Sequence, residues 1–305
     1  MTQNPQGTIT RRDTFAIAAA GAAAALIGAP AMAADNVTTP AVPAVPAAPA
    51  GALKGNINHS VCLWCYKMKV EEMIPQAKRI GLKGIDLLDP KAFPALKEAG
   101  LACSMTSGIW GGIPKGYNRT EHHEKLNQTM RELIDATAAA GFPNVICFSG
   151  NRDGMSDEEG VRNCAKGLKE VAAYAEQKKV TICMELLNSR RDHKDYMCDK
   201  SAWGIELCKA VGSERFKLLF DIYHMQIDEG DIIATIQKNN QFFGHYHTGG
   251  NPGRHEIDET QELYYPAIMK AIVATGFKGY VAQEFIPAKP DKIASLEAAV
   301  RLCDV

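Results

Sequence analysis

Glu185, Asp221, His247 and Glu284 each stand at the C-terminal end of a short β-rich run: VTICMEL (180–186), KLLFDI (217–222), FFGHYHT (242–248) and YVAQEF (280–285). Side chains alternate faces along a strand. Ile182 and Met184 can therefore pack to one side while Glu185 points to the other. Phe220 and Ile222 bracket Asp221 in the same way, and Val281 and Phe285 share the face opposite Glu284. A lone Asp after a strand is ordinarily a turn or a helix cap. Three carboxylates and an imidazole converging on one mouth are different, because burying them together is unfavourable unless a cation or protons offset the charge. Such an oxygen-rich set with a single nitrogen suits one divalent ion, Mn²⁺, Mg²⁺ or Co²⁺ before Zn²⁺. It also suits proton transfer beside a carbonyl, which needs a base, an acid and stabilisation of an enediolate. Glu185 and Glu284 are the candidate acid/base pair. His224, three residues beyond Asp221, is a candidate hydrogen-bond donor to a substrate oxygen. Arg254, in a glycine-rich loop, can hold a substrate carboxylate or hydroxyl, unless it pairs with Glu256 or Asp258. Asn188 is a candidate polar contact to the substrate or to its neighbours.

The elements that must position these groups repeat without a composition break from Asn56 onward. Four further β-rich runs, near 57–63, 84–88, 101–106 and 144–149, complete a set of eight. Between the runs, apolar residues recur at three- and four-residue spacing, as in Leu126, Met130, Leu133, Ile134 and Ala138, or Val171, Ala172 and Ala175. That is the period of an amphipathic helix. Gly81, Gly100, Gly141 and Gly276 fall where helices should end. Eight strands alternating with helices over about 250 residues have the rhythm of a (β/α)₈ TIM barrel, whose active sites gather at the C-terminal strand ends. A doubly wound open sheet would want a phosphate-binding glycine fingerprint after its first strand. This chain has Cys62-Leu63-Trp64-Cys65-Tyr66 there.

Glu185-Leu-Leu-Asn188, Asp221-Ile-Tyr-His224-Met-Gln, Asn251-Pro-Gly-Arg254-His255-Glu256 and Gln283-Glu284-Phe resemble the hydroxypyruvate isomerase family, within the xylose-isomerase-like barrels that also include ketose 3-epimerases. The resemblance spans 56–305. It implies a single divalent metal on Glu185, Asp221, His247 and Glu284, with the two glutamates doubling as acid/base groups. It also implies a small keto acid or keto sugar as substrate. Hydroxypyruvate isomerases typically carry Gln at the strand-seven ligand position; His247 here follows the epimerases. The favoured activity is isomerisation or epimerisation through a metal-stabilised enediolate. A keto-sugar dehydratase on the same scaffold and a non-catalytic binding barrel are the alternatives.

Ahead of the barrel, Arg11-Arg12 precede a weakly apolar Ala/Gly-rich run ending in Ala31-Met32-Ala33. This resembles a twin-arginine export signal with a small-residue cleavage site. It implies residues 1–33 as signal, the export machinery as a partner and a periplasmic location without stable membrane insertion. Residues 34–55, with Pro40, Pro43, Pro46 and Pro49 among alanines, read as a disordered linker. The composition, 46% apolar and 23% charged with a net charge of −1, is that of a globular domain and argues against nucleic acid as a partner. The abasic-site nucleases of this barrel class would need further ligands at the third and fourth strand ends, where Met105-Thr106 and Phe148-Ser149 stand. Most of the nine cysteines in a chain of this length read as buried thiols, the Cys62/Cys65 pair included. Trp64 and Trp110 are candidate pocket walls, His245 a core residue one layer below His247, and His122-His123 the start of a solvated helix face. Homo-oligomerisation is left open.

Overall fold

The β-rich runs form eight parallel strands: β1 (Asn58–Val61), β2 (Gly84–Leu88), β3 (Ala102–Thr106), β4 (Asn144–Cys147), β5 (Thr181–Glu185), β6 (Phe216–Asp221), β7 (Phe243–Thr248) and β8 (Tyr280–Gln283). The computed structural model describes residues 51–305; the export signal and residues 34–50 of the expected linker lie outside the described residues. From β2 to β8 each strand pairs with the next in sequence, and β1 pairs with β8, giving the order β1-β8-β7-β6-β5-β4-β3-β2. A single parallel bridge, Cys62 to Asp86, joins the two ends of that order, with Lys83 N donating to His59 O at 2.8 Å. The result is a nearly closed (β/α)₈ barrel, as the alternation of runs predicts.

The helices are α1 (Val70–Ile80), α2 (Phe93–Ala99), α3 (His123–Ala140), α4 (Asp157–Lys178), α5 (Ser201–Val211), α6 (Ile222–Asp228), α7 (Ile232–Asn239), α8 (Tyr265–Ala274) and α9 (Lys292–Cys303). α3 buries Leu126, Met130, Leu133 and Ile134, and α4 buries Val171, Ala172 and Ala175, as their spacing requires. Ser156 caps α4 by accepting from Glu159 N, ahead of three acidic residues that favour the positive helix end. Gly81, Gly100 and Gly141 end α1, α2 and α3 in the left-handed conformation. Gly276, at φ 79, follows the Thr275 cap of α8. His122 and His123 differ from the expected solvated face: both are half-buried, and His123 Nε2 lies 2.8 Å from Tyr117 O.

Strand alternation produces two apolar layers. Ile182, Met184, Phe220, Tyr246 and Val281 face the helices, whereas Met105, Ile146, Cys183 and Leu219 form a small cluster inside the barrel. The described chain meets the barrel slightly before residue 56, with Lys54 N donating to the Asp304 carboxylate at 2.9 Å. All nine cysteines are buried free thiols. Among the described residues no helix is long and apolar enough to cross a membrane. Leu168 on α4 is fully buried in the outer layer. Leu168→Ala should therefore cost about 2–5 kcal/mol of unfolding free energy in a denaturant titration. A loss near zero would mean that α4 is not packed as described.

Candidate active site

β5 to β8 deliver the four chemical groups to one mouth. Asp221 and His247 are register partners on β6 and β7; Glu185 ends β5, and Glu284 follows directly on β8. Each of the four contributes one ligand-type atom, and these atoms all lie within 4.8 Å of one another. His247 Nδ1 is 2.6 Å from Glu284 Oε2, 3.5 Å from Glu185 Oε1 and 4.0 Å from Asp221 Oδ2. All four side chains are buried.

Arg254 closes the group from above. Its Nη2 lies 2.7 Å from Glu284 Oε2 and 3.3 Å from Asp221 Oδ2. Its guanidinium lies over two rings, 5.3 Å from the centre of Trp64 and 5.2 Å from that of Tyr223. Trp64 Nε1 itself donates to Glu284 Oε1 at 2.8 Å. Arg254 adopts φ 56, a strained conformation for a residue with a side chain, which persists only where surrounding contacts impose it. Here Arg254 N donates to Gly250 O and Ile286 N donates to Arg254 O, both at 2.7 Å. A Cβ on Gly250 would lie 2.2 Å from Glu256 O, so only glycine fits the base of this loop. The pairing with Glu256 or Asp258 weighed from sequence does not form. The Glu256 carboxylate instead accepts from Ala288 N, Lys289 N and Ser295 Oγ, tying the loop to the segment after β8. Asp258 pairs with Lys289.

His224 and Asn188 sit behind the carboxylates and do not line the cavity wall. Asn188 Oδ1 accepts from Arg191 N and Asp192 N, each at 3.0 Å. That fixes Nδ2 as the group facing Asp192 Oδ2 at 2.8 Å and His224 Nδ1 at 2.6 Å. His224 Nδ1 must then accept, so the neutral ring carries its proton on Nε2, 3.6 Å from Asp221 Oδ2. Burial first, then Arg254, holds His224 well below the usual imidazole range, which keeps it neutral.

The electrostatics ask for a cation. Burial raises Glu185, and burial also pushes Asp221 up to about 8 against the opposing pull of Arg254. Burial acts the same way on Glu284, but Arg254 and His247 override it and hold this carboxylate well below its ordinary range. Three carboxylates thus share one guanidinium, with one imidazole nitrogen directed among them. A hard divalent ion fits this donor set, and Glu185, Asp221, His247 and Glu284 are the residues that could hold it.

A cavity of about 450 Å³ opens beside the group, lined by Glu185, Glu284, Arg254, His193, Trp64 and Phe148 among others. Trp64 is a wall, as its position after β1 suggests. Trp110 is not among the lining residues, although Ile109 and Gly112 beside it are, and it packs edge-on to His122 at 5.5 Å. The sequence reading missed Asp86 and Glu256. Asp86 interrupts the apolar run GIDLL of β2, and a carboxylate inside such a run is itself a signal. Glu256 stands in the sequence only as a possible partner of Arg254, and nothing local marks its part in pinning the loop.

A family model described as "Xylose isomerase-like TIM barrel" matches residues 74–302. The 2-oxo-tetronate isomerase of Cupriavidus necator is 34% identical over 182 residues, 59% of this chain and 69% of that protein. The hydroxypyruvate isomerase of Escherichia coli is 22% identical over 75% of this chain and 90% of its own length. The crystal structure of the 3-keto-D-glucoside 4-epimerase YcjR from E. coli superposes with a TM-score of 0.69 at 17% identity. It covers 81% of this chain and 98% of that one, a likeness of fold.

Two outcomes follow for the centre. The purified protein should carry one divalent ion per chain by elemental analysis, and Asp221→Ala and His247→Ala should lose it while keeping their circular dichroism. Asp221 must also shed its proton to bind a metal. Apparent affinity should therefore climb with pH up to about 8, by as much as about tenfold per unit for each proton released. Affinity that stays flat by calorimetry between pH 6 and 8 would mean that Asp221 is already ionised in the metal-free protein.

Proposed function

The chain belongs to the xylose isomerase-like TIM barrel family, and from that premise we propose that it is a divalent-metal-dependent isomerase or epimerase of a small keto acid or keto sugar. The observation that carries this is the placement of Glu185 and Glu284. These two carboxylates come from β5 and β8, line one cavity, and meet at the same imidazole. The names of the relatives, isomerases of keto acids and an epimerase of a keto sugar, support the same class.

The division of labour follows from the geometry. A divalent ion held by Glu185, Asp221, His247 and Glu284 would supply positive charge to the substrate oxygens as negative charge develops there. Glu185 and Glu284 flank the cavity, so one can remove the proton from a carbon beside the carbonyl and the other can return a proton to the same or the adjacent carbon. Arg254 and His247 keep Glu284 ionised, and Glu185, raised by burial, is the carboxyl that more readily holds a proton. His224, neutral and with its proton on Nε2, faces Asp221 Oδ2 at 3.6 Å with no hydrogen-bond partner at that nitrogen. Trp64 and Phe148 wall the cavity and limit water around the exchanging proton.

Exchange of a substrate C–H for deuterium in heavy water tests the reading, across hydroxypyruvate, four-carbon 2-oxo acids, ketoses and 3-keto-glycosides. Glu185→Gln and Glu284→Gln should each lower exchange by roughly 10²–10⁴-fold while retaining most of the bound metal. Undiminished exchange in either variant would make that residue a ligand only. Loss of water from the substrate, in place of isomerisation, would instead mark a lyase.

The paired arginines and the Ala31-Met32-Ala33 site support export to the periplasm by the twin-arginine route. Replacing Arg11 and Arg12 by Lys should hold the protein in the cytoplasm in a fractionation experiment. Continued export of that variant would exclude the route.

A further inference from the structure

Below the four-residue centre, towards the barrel interior, a second set of ligand-type atoms converges: Cys62, Asp86 and, shared with the set above, His247. Asp86 is fully buried. Its Oδ2 accepts from His245 Nε2 at 2.6 Å and from Ser104 Oγ at 3.0 Å. Its Oδ1 has no hydrogen-bond partner and lies 3.7 Å from His247 Nε2. The chain distorts to put it there. The register of β2 against β3 shifts on both sides of Asp86, and Leu87 takes φ 57. This local irregularity lets both Asp86 and Leu87 face the inside of the barrel, the use to which bulges beside functional sites are commonly put. Asp86 also makes the bridge to Cys62 that joins β1 to β2.

His247 is therefore addressed from both sides. Its Nδ1 points among Glu185, Asp221 and Glu284, and its Nε2 points at the one carboxylate oxygen beneath it that nothing else satisfies. A metal-ligating imidazole nearly always donates its second N–H to a carboxylate, a carbonyl or water, which fixes both tautomer and ring orientation. The separation of 3.7 Å is about 0.7 Å longer than such a bond, a gap that a small turn of the ring closes. We infer that Asp86 is the positioning residue for His247: its Oδ1 accepts a hydrogen bond from Nε2–H, which keeps the ring proton on Nε2 and presents the Nδ1 lone pair to the divalent ion, with His245 holding the other carboxylate oxygen in place. The competing partner is Cys62 Sγ, 3.8 Å from the same nitrogen. A buried neutral thiol is a weak acceptor, whereas an ionised carboxylate makes the stronger, charge-assisted bond. The inference rests on the metal reading proposed above.

The test is titration of the metal-depleted mature protein with Mn²⁺, following free Mn²⁺ by electron paramagnetic resonance. The proteins compared are wild type, Asp86→Asn, Cys62→Ala and His245→Gln. Asp86→Asn preserves size and can still accept from His245 through its carbonyl, but turns an N–H towards His247. It should weaken Mn²⁺ binding by roughly 10–100-fold. Cys62→Ala should leave affinity within about threefold of wild type, and His245→Gln should fall between the two. A readout that general loosening of the barrel would not mimic is the ¹⁵N spectrum of the His247 ring in Mg²⁺-loaded protein. Wild type should show the proton on Nε2 and metal-bound Nδ1. A proton found on Nδ1 would overturn the inference even if Asp86→Asn fails to fold. Unchanged affinity in Asp86→Asn, a larger loss in Cys62→Ala, or a His247 proton on Nδ1 would each overturn the inference. Failure of wild type itself to bind Mn²⁺ or Mg²⁺ would instead overturn the metal reading, and this inference with it.

Discussion

Three carboxylates buried around one imidazole nitrogen are the constraint on which the upper half of this barrel depends. Glu185, Asp221 and Glu284 cannot all be ionised in a dry site without positive charge close by. The surroundings are built to provide or admit it. Arg254 reaches over the carboxylates from the β7 loop, Trp64 donates to Glu284, and His247 faces all three acids. The cluster is held together by opposed charges and stays open to a cavity on one side, an arrangement that a divalent ion would complete.

Backbone strain is stored at the same place. Among the described residues, seven other than glycine take positive φ. Two of them, Leu87 and Arg254, line the cavity. At Leu87 the strain accompanies the irregular pairing of β2 with β3; at Arg254 it accompanies a loop pinned by Gly250, Glu256 and Ile286. Such conformations survive only where neighbouring contacts over-determine them. In both places the contacts place side chains over or beneath the carboxylates. The rest of the barrel, with its apolar layers and glycine-capped helices, is the regular framework against which these two departures are fixed.

The loop after β5 works by hydrogen bonds in place of strain. Asn188 spends its carbonyl on two backbone N–H groups, and the fixed amide then dictates the tautomer of His224. Tyr223 ties the same loop to α6 through Asp192. A residue with no direct access to the cavity therefore fixes the tautomer of the imidazole behind Asp221.

The sequence by itself determined the barrel, because strand and helix periods are local properties of side-chain spacing. All eight strands lie within a residue or two of the β-rich runs, and α3 and α4 bury the stripes that their spacing marks. It also determined which four residues meet, since strand alternation in a barrel sends every second side chain at a strand end to the same mouth. Tertiary structure alone decided the partners. Arg254 pairs with Glu284, 30 positions away, and not with nearby Glu256, because the pinned loop turns its guanidinium over the mouth. Asp86 meets His245 across 159 positions of chain, because barrel closure brings β2 and β7 face to face across an interior that no local spacing describes. Asn188 lies behind His224 because its amide is bound by the backbone of its own loop. Periodicity fixes which face a side chain occupies; which charge it finds there depends on closure of the barrel and on the path of the loops above it.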